Sequence, residues 1–334
     1  MNNKTLVKAV SLTASLMFSA GALAANTFKM AVGDGGGSTQ EAMGLKFSEL
    51  LAEKTGGKYS TRLYVNGQLG SEQATVNDVA IGTLDMSILS SLNLAPFSPS
   101  IGVLCLPYIF EDLEQTETII NSEIATELNQ KVIEQANARI LGWTYSGFHM
   151  VTNSKRPVTS LEDLKGLSIR VPKSEIILDT FSALGLNATP VAWSETFTAL
   201  QQGVVDGQET PYMANYSMKF SEIQKYLTET HYMFQLEPLI MSESVFQDQS
   251  PEVQQALVEA GQEATEYSLQ FLKEKEDSIK DELVAQYGVE ISQLTDEDEW
   301  VKMAQAAVWP KFYDQIGGKE KVNAVLRLLG REEI

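Results

Sequence analysis

Arg170 is the side chain whose surroundings best fit it to meet a small charged molecule. It stands in Leu164-Lys165-Gly166-Leu167-Ser168-Ile169-Arg170-Val171-Pro172, where Gly166 makes a turn and Leu167, Ile169 and Val171 fall on one face of a strand. Arg170 therefore faces the other side, near the strand's carboxyl end, where Pro172 stops the ladder and where open α/β sheets receive ligands. A guanidinium there is a fixed fork for a carboxylate, offering two parallel charge-assisted hydrogen bonds. A structural ion pair with one of the chain's many acids is the competing reading. Trp193 ends the next strand, ahead of Ser194 as a helix cap and Glu195 in the first turn; such a Trp either walls a pocket or packs in a core. Asp206-Gly207-Gln208-Glu209-Thr210-Pro211 ends a third strand, and its acids either face a ligand or cap the helix after Pro211.

Other chemistries find little support. The loop from Gly33 to Ser38 follows a strand and opens a helix, so its backbone N–H groups can face a ligand or simply make a tight turn. No Gly-Lys-Ser/Thr follows it, and it lacks the third glycine of a dinucleotide fingerprint. There is no Gly-x-Ser-x-Gly and no His-Glu-x-x-His. Two histidines, His149 and His231, and one cysteine, Cys105, leave a single possible Cys/His zinc set, the one using all three. Cys105 lies among apolar residues and reads as an inert buried thiol. No cofactor, no metal and no enzymatic activity are expected.

These residues sit in an alternating chain. Thr27 to Val32, Tyr59 to Val65 and Thr83 to Leu89 read as strands, with helices over Ser38 to Lys54 and Glu72 to Ile81 between them. The rhythm returns as strand Leu167–Val171, helix Ser174–Leu184, strand Thr189–Val191, helix Ser194–Gln202 and strand Val204–Asp206. Two βαβαβ units imply two similar α/β lobes, each with a parallel sheet. Arg139 to Asn153 is extended and aromatic, suited to crossing between them. Pro251 to Tyr287 carries helical periodicity over an unusual length, as one helix or two in line. Thr295 to Ile316 and Lys319 to Leu329 are further helices, the former divided or kinked at Pro310.

The chain has 334 residues, 43% hydrophobic and 21% charged, with a formal charge of −19. That is ordinary globular composition, and its acidity disfavours nucleic acid and anionic membrane surfaces as partners. Residues 1 to 24 read as a secretory signal peptide: Lys4 and Lys8, then an apolar stretch from Ala9 to Ala20, then Ala22-Leu23-Ala24 at the cleavage site. The apolar run is shorter than the roughly 20 residues needed to span a bilayer. Cleavage after Ala24 would leave an exported, disulfide-free protein suited to the periplasm.

Asp163-Leu164-Lys165-Gly166, Ile169-Arg170-Val171-Pro172, Pro190-Val191-Ala192-Trp193-Ser194-Glu195 and the run from Ala199 to Pro211 closely resemble the TRAP-transporter solute-binding proteins, the dicarboxylate and sialic acid receptor type. Gly67-Gln68-Leu69-Gly70, Leu106-Pro107-Tyr108 and Thr152-Asn153-Ser154 extend the likeness over nearly the whole chain after the signal segment. The resemblance implies an α/β, two-lobed periplasmic binding protein fold of type II-like build, with hinge strands and a long C-terminal bracing helix. It implies residues 25–148 mainly in lobe 1, 149–240 mainly in lobe 2, and 241–334 as C-terminal helices packing across both. It also implies capture of a small organic acid and delivery to a TRAP membrane permease by a monomer. By the same resemblance, Arg170 matches the arginine that binds the ligand carboxylate and Trp193 the bulky residue beside it. Glu72, Ser90 and Asp34 fall where the first lobe meets the ligand. Two positions depart from the pattern: His149 stands where an arginine is frequent, and Thr210 where asparagine is usual. His149 is accordingly expected to touch the ligand carboxylate, and Gln235 completes the candidate set. A ligand-presenting receptor for a sensor protein and a periplasmic enzyme acting on an organic acid remain as alternatives.

Overall fold

The computed structural model describes residues 26–334; the signal-peptide reading of 1–24 and its cleavage site lie outside them. Among the described residues eleven strands form two sheets: β1 (Asn26–Val32), β2 (Tyr59–Tyr64), β3 (Met86–Ile88), β4 (Ala138–Phe148), β5 (Met150–Asn153), β6 (Ser168–Val171), β7 (Asn187–Pro190), β8 (Gly207–Thr210), β9 (Tyr226–Glu229), β10 (Phe234–Ser242) and β11 (Glu290–Gln293). The first sheet runs β2-β1-β3-β10-β4 and the second β11-β9-β5-β8-β6-β7. β1, β2 and β3 are parallel, as are β6, β7 and β8, matching the two βαβαβ units. Both sets aim their carboxyl ends at the space between the lobes. Helices Thr39–Lys54, Glu72–Ala80 and Glu175–Ala183 follow the expected pattern, and the first two are capped by the side chains of Ser38 and Ser71.

The strand expected over Thr83 to Leu89 is confined to Met86–Ile88 and the one over Thr189 to Val191 lies at Asn187–Pro190, and two further differences bear on the site. Val204 to Asp206 is a turn rather than a strand, and the ladder runs over Gly207–Thr210 instead. The apolar pair Val204-Val205 suggested the strand, but Val204 is exposed, and it is Gly207 that pairs with Asn153 and Ile169. Ser194 caps nothing: Trp193–Glu195 is a short 3-10 turn leading directly into Thr196–Gln201.

The lobes are joined where chain passes between sheets. β4 belongs to the first sheet and β5 to the second, with His149 as the single residue between them. The return passes from β9 to β10, which lies antiparallel between β3 and β4, so Phe234 to Ser242 belongs to the first sheet. At the crossing, His149 N–H donates to the Met233 carbonyl (2.8 Å) and Thr230 Oγ1 donates to the His149 carbonyl (2.7 Å).

One uninterrupted 37-residue helix, Pro251–Tyr287, braces the crossing. Ser250 caps its start, Pro251 takes the first position, and Gly288 ends it in the left-handed region. Leu257, Ala260, Gly261 and Ala264 are buried against the first lobe, where Gly261 lies so close to β4 that a methyl would run into the Leu141 carbonyl oxygen. Its other end meets the second lobe through Tyr216 Oη to Glu282 (3.1 Å) and the Lys280–Glu229 pair (2.5 Å). The later helical stretch divides into Glu297–Ala307 and Trp309–Ile316, with Pro310 in the first turn of the second.

Candidate functional site

The two lobes and the crossing strands line a narrow cavity of about 30 Å³, well below the ~300–1,000 Å³ of typical ligand pockets and in keeping with a cleft drawn shut. All eight sequence-chosen residues line it: Asp34, Glu72, Ser90, His149, Arg170, Trp193, Thr210 and Gln235. The first lobe contributes Asp34 from the turn after β1, Glu72 from the start of its helix, and Ser90 just past β3. The second contributes Arg170 from β6, Trp193 beyond β7 and Thr210 at the end of β8. His149 and Gln235 come from the crossing itself.

Arg170 is 2% exposed. Its Nε–H donates to the Val191 carbonyl (3.0 Å) and its guanidinium lies over the Trp193 ring, 5.2 Å from the centroid. No acid stands within ion-pair distance of it among the described residues, and its Nη groups have no hydrogen-bond acceptor there. Burial pulls its pKa down to about 10, against the smaller opposing pull of Glu209 and Glu72. The structural ion pair that competed in the sequence is therefore absent. What remains is a buried fork held at one edge and unsatisfied at the other.

His149 is differently employed. Its Nδ1 meets the Glu209 carboxylate, and its Nε2 meets Gln235 Oε1 at 2.6 Å. The Gln235 amide is oriented by its own Nε2, which donates to Glu237 (3.1 Å). Both ring nitrogens thus have protein partners. The hydroxyl of Tyr232 also donates to Glu209, and the Tyr232 ring stacks on buried Trp300. The expectation that His149 offers a ring nitrogen to a ligand carboxylate does not fit this geometry, since protein partners occupy both. His149 lines the cavity while orienting Glu209 and Gln235.

The first-lobe wall is acidic. Asp34 Oδ1 accepts from Trp193 Nε1 across the cleft (2.9 Å), whereas its Oδ2 is buried without a partner among the described residues. Glu72 accepts from the Ser90 N–H (3.3 Å) and the Asn93 amide. Glu237 accepts from Gln40 (2.8 Å), Gln235 (3.1 Å) and Ser146 (2.6 Å). Burial, reinforced by their mutual repulsion, raises Asp34 well above the usual carboxylate range and Glu72 to about 7; burial also raises Glu237.

Glu237, Asn93 and Gln40 were not singled out from the sequence. A signal for Glu237 existed: in Phe234-Gln235-Leu236-Glu237-Pro238-Leu239 the polar residues alternate with apolar ones and share one face of β10. Gln40 and Asn93 gave none, being single amides inside helices. Of the residues weighed and set aside, Cys105 is buried, and His231 is half-exposed at the surface with Glu297 (3.2 Å).

Lobe-to-lobe contacts show a closed cleft. Besides Trp193 to Asp34, the turn at Gly35 packs so tightly on the second lobe that a Cβ there would lie 2.6 Å from the Ser217 carbonyl oxygen.

Comparison with known proteins follows this geometry. Residues 31–315 match the family of bacterial extracellular solute-binding proteins, family 7 (DctP), and the chain belongs to it. It is 32% identical, over 89% of its length and 90% of the relative's, to the 2,3-diketo-L-gulonate-binding periplasmic protein YiaO of Escherichia coli (strain K12). Among solved structures, a TRAP periplasmic solute binding protein from Polaromonas sp. JS666, bound to D-erythronate, is 29% identical and superposes with a TM-score of 0.85 over 90% of this chain and 98% of that one. A TRAP solute binding protein from Rhodobacter sphaeroides, in an open ligand-free form, is 38% identical yet scores 0.73, covering 91% of this chain and 99% of that one. The poorer fit to an open structure at higher identity agrees with the lobe-to-lobe contacts here. The fold is the two-lobed α/β fold of these binding proteins, and the family is one of solute receptors.

Proposed function

We propose that the protein is the periplasmic receptor of a TRAP transporter, which takes up a small organic acid between its lobes and hands it to the membrane permease as a monomer. The observation that carries this reading is Arg170: a guanidinium buried in a closed interlobe cavity, with no acid paired to it and its outer edge turned to that space. Relatives support the ligand class, since the Escherichia coli protein is named for a keto sugar acid and the Polaromonas structure holds an aldonate. Residues 1–24 supply the export signal, with cleavage after Ala24. Binding without chemistry fits the bonding of His149, whose ring nitrogens meet Glu209, Gln235 and the Tyr232 hydroxyl, with no serine, threonine or cysteine side chain bonded to them among the described residues.

A thermal-shift screen against organic acids tests the reading. A true ligand at about 100 times its Kd adds ~2.7 kcal/mol of apparent stability, and recovered ligand should be chemically unchanged. An acid library that leaves the melting temperature unmoved, or a product formed from a bound acid, would overturn it.

A further inference from the structure

The proposed function asks only for Arg170; the opposite wall asks for something else. Four carboxylates line the cavity: Asp34, Glu72, Glu209 and Glu237, each no more than 6% exposed. Facing them among the lining residues are one arginine, Arg170, and one histidine, His149, whose Nδ1 already meets Glu209. Asp34, Glu72 and Glu237 have no lysine or arginine partner among the described residues; amides, hydroxyls and backbone N–H groups hold them. The Oδ2 of Asp34 is buried and unpartnered at the cavity, as is Oε1 of Glu209. A dicarboxylate placed on Arg170 would set a second carboxylate against Asp34, Glu72 and Glu237, a wall whose raised pKa values show that it already disfavours negative charge. Hydroxyl groups would donate hydrogen bonds to these oxygens but bring no positive charge.

We infer that the ligand is a zwitterion, whose carboxylate lies on the Arg170 fork and whose ammonium or amidinium group lies against the Asp34, Glu72 and Glu237 wall. This rests on the reading of Arg170 as a carboxylate anchor and narrows it. Asp34 and Glu72 then have a reason to be buried without cations of their own, because the ligand brings one. With Glu72 at about 7 in the empty closed site, through burial and the proximity of Glu237, a cation beside it drives off a proton. The groups facing Glu72 are Asp34, Glu237 and, across the cleft, Arg170; none titrates in a sense that reverses this sign.

Calorimetric titration of matched short-chain series decides the matter: amino acids, the hydroxy acids of the same skeleton, the dicarboxylates, and the corresponding amines without a carboxyl group. The tightest amino acid should bind about tenfold or more tighter than its hydroxy counterpart, a gap of ~1.4 kcal/mol. Its heat should vary with the ionisation enthalpy of the buffer, showing proton release, and its affinity should rise between about pH 6 and about pH 8. The double variant Asp34→Asn with Glu72→Gln should bring the amino member and its hydroxy counterpart to within about threefold of each other. Hydroxy acids or dicarboxylates binding as tightly as the amino acids, with no proton release, overturn the zwitterion and leave the carboxylate reading standing. Amines binding as well as amino acids would instead sink the carboxylate reading, and binding by no member of any series would sink both.

Discussion

Replacing Arg170 with Met separates a ligand-binding guanidinium from a structural one. In the empty site the charge is a burden: the fall to about 10 corresponds to about 3 kcal/mol against the charged form. Methionine relieves that and keeps most of the volume. What it forfeits is the Nε–H bond to Val191, ~1.5–3 kcal/mol for a charged donor, and the stacking on Trp193, ~0.5–2 kcal/mol. Loss and relief nearly cancel, so the ligand-free variant should melt within a few degrees of the parent, taking about 2 °C per kcal/mol for a chain of this size. The ligand tells a different story. Removing the partner of a buried carboxylate costs ~2–5 kcal/mol, some thirtyfold to several-thousandfold in Kd. Arg170→Lys should fall in the same range, because a point charge cannot reproduce the fork. Calorimetry on the folded variants, with a melt of each, checks both halves. A ligand-free melt lowered by ~6–10 °C, as loss of a buried ion pair worth ~3–5 kcal/mol would give, together with an unchanged Kd, would refute the reasoning.

Three further outcomes follow from the geometry. Glu72, ordinarily near 4.5 and here at about 7, contributes stability that is whole below about pH 4.5 and lost as pH rises through about 7, by roughly 3 kcal/mol. The ligand-free protein should therefore melt higher at about pH 5 than at about pH 8, and Glu72→Gln should flatten that slope; a parent slope of the opposite sign across this window would refute the burial argument. Trp193→Phe keeps an aromatic ring by Arg170 but deletes the Nε1–H bond to Asp34, so affinity should drop about tenfold or more. Solution scattering should show ligand contracting the parent, as expected for hinged lobes, and contracting this variant less. Gly261→Ala would gain about 1 kcal/mol from helix propensity alone, but its methyl meets the Leu141 carbonyl, so a net loss of ~1–3 kcal/mol is expected in a denaturant melt.

Much of the positioning machinery was legible because local patterns and tertiary demands agreed. The alternation in Leu167, Ile169 and Val171 fixed the face of Arg170, and the long helical periodicity from Pro251 to Tyr287 has the bounds the structure shows, whereas the cap read at Ser194 does not form. Strand β10 was passed over, although it is buried along its whole length, because its alternation stops at Glu237, and Pro238 followed by the unbroken apolar run Leu239-Ile240-Met241 argues against a strand continuing there. The shift from Val204–Asp206 to Gly207–Thr210 has a related cause: a β-branched pair outweighed a glycine, while register was being set by the crossing strand β5. The eight cavity residues gathered as chosen, yet the bonding of His149 was beyond reach. Its partners Glu209, Tyr232 and Gln235 lie 60, 83 and 86 residues away in sequence, and nothing local announces them.

Those distant partners give the cleft its energetic character. Closing the lobes buries Asp34 and Glu72 beside Glu237, and Arg170 without a partner, so each disfavours the closed form while the site is empty. Among the described residues, a lobe-to-lobe bond that opposes this is the hydrogen bond from Trp193 to Asp34, ~0.5–1.5 kcal/mol for a neutral acceptor. A ligand that satisfies Arg170 and the acidic wall together removes both penalties at once, whereas one that satisfies only Arg170 leaves the larger group of charges uncompensated. Each ~1.4 kcal/mol of relief shifts the closed-to-open ratio tenfold. Selectivity then comes from the cost of closing on the wrong charge pattern as much as from contacts with the right one. A receptor of this kind rejects a wrong acid by failing to close on it.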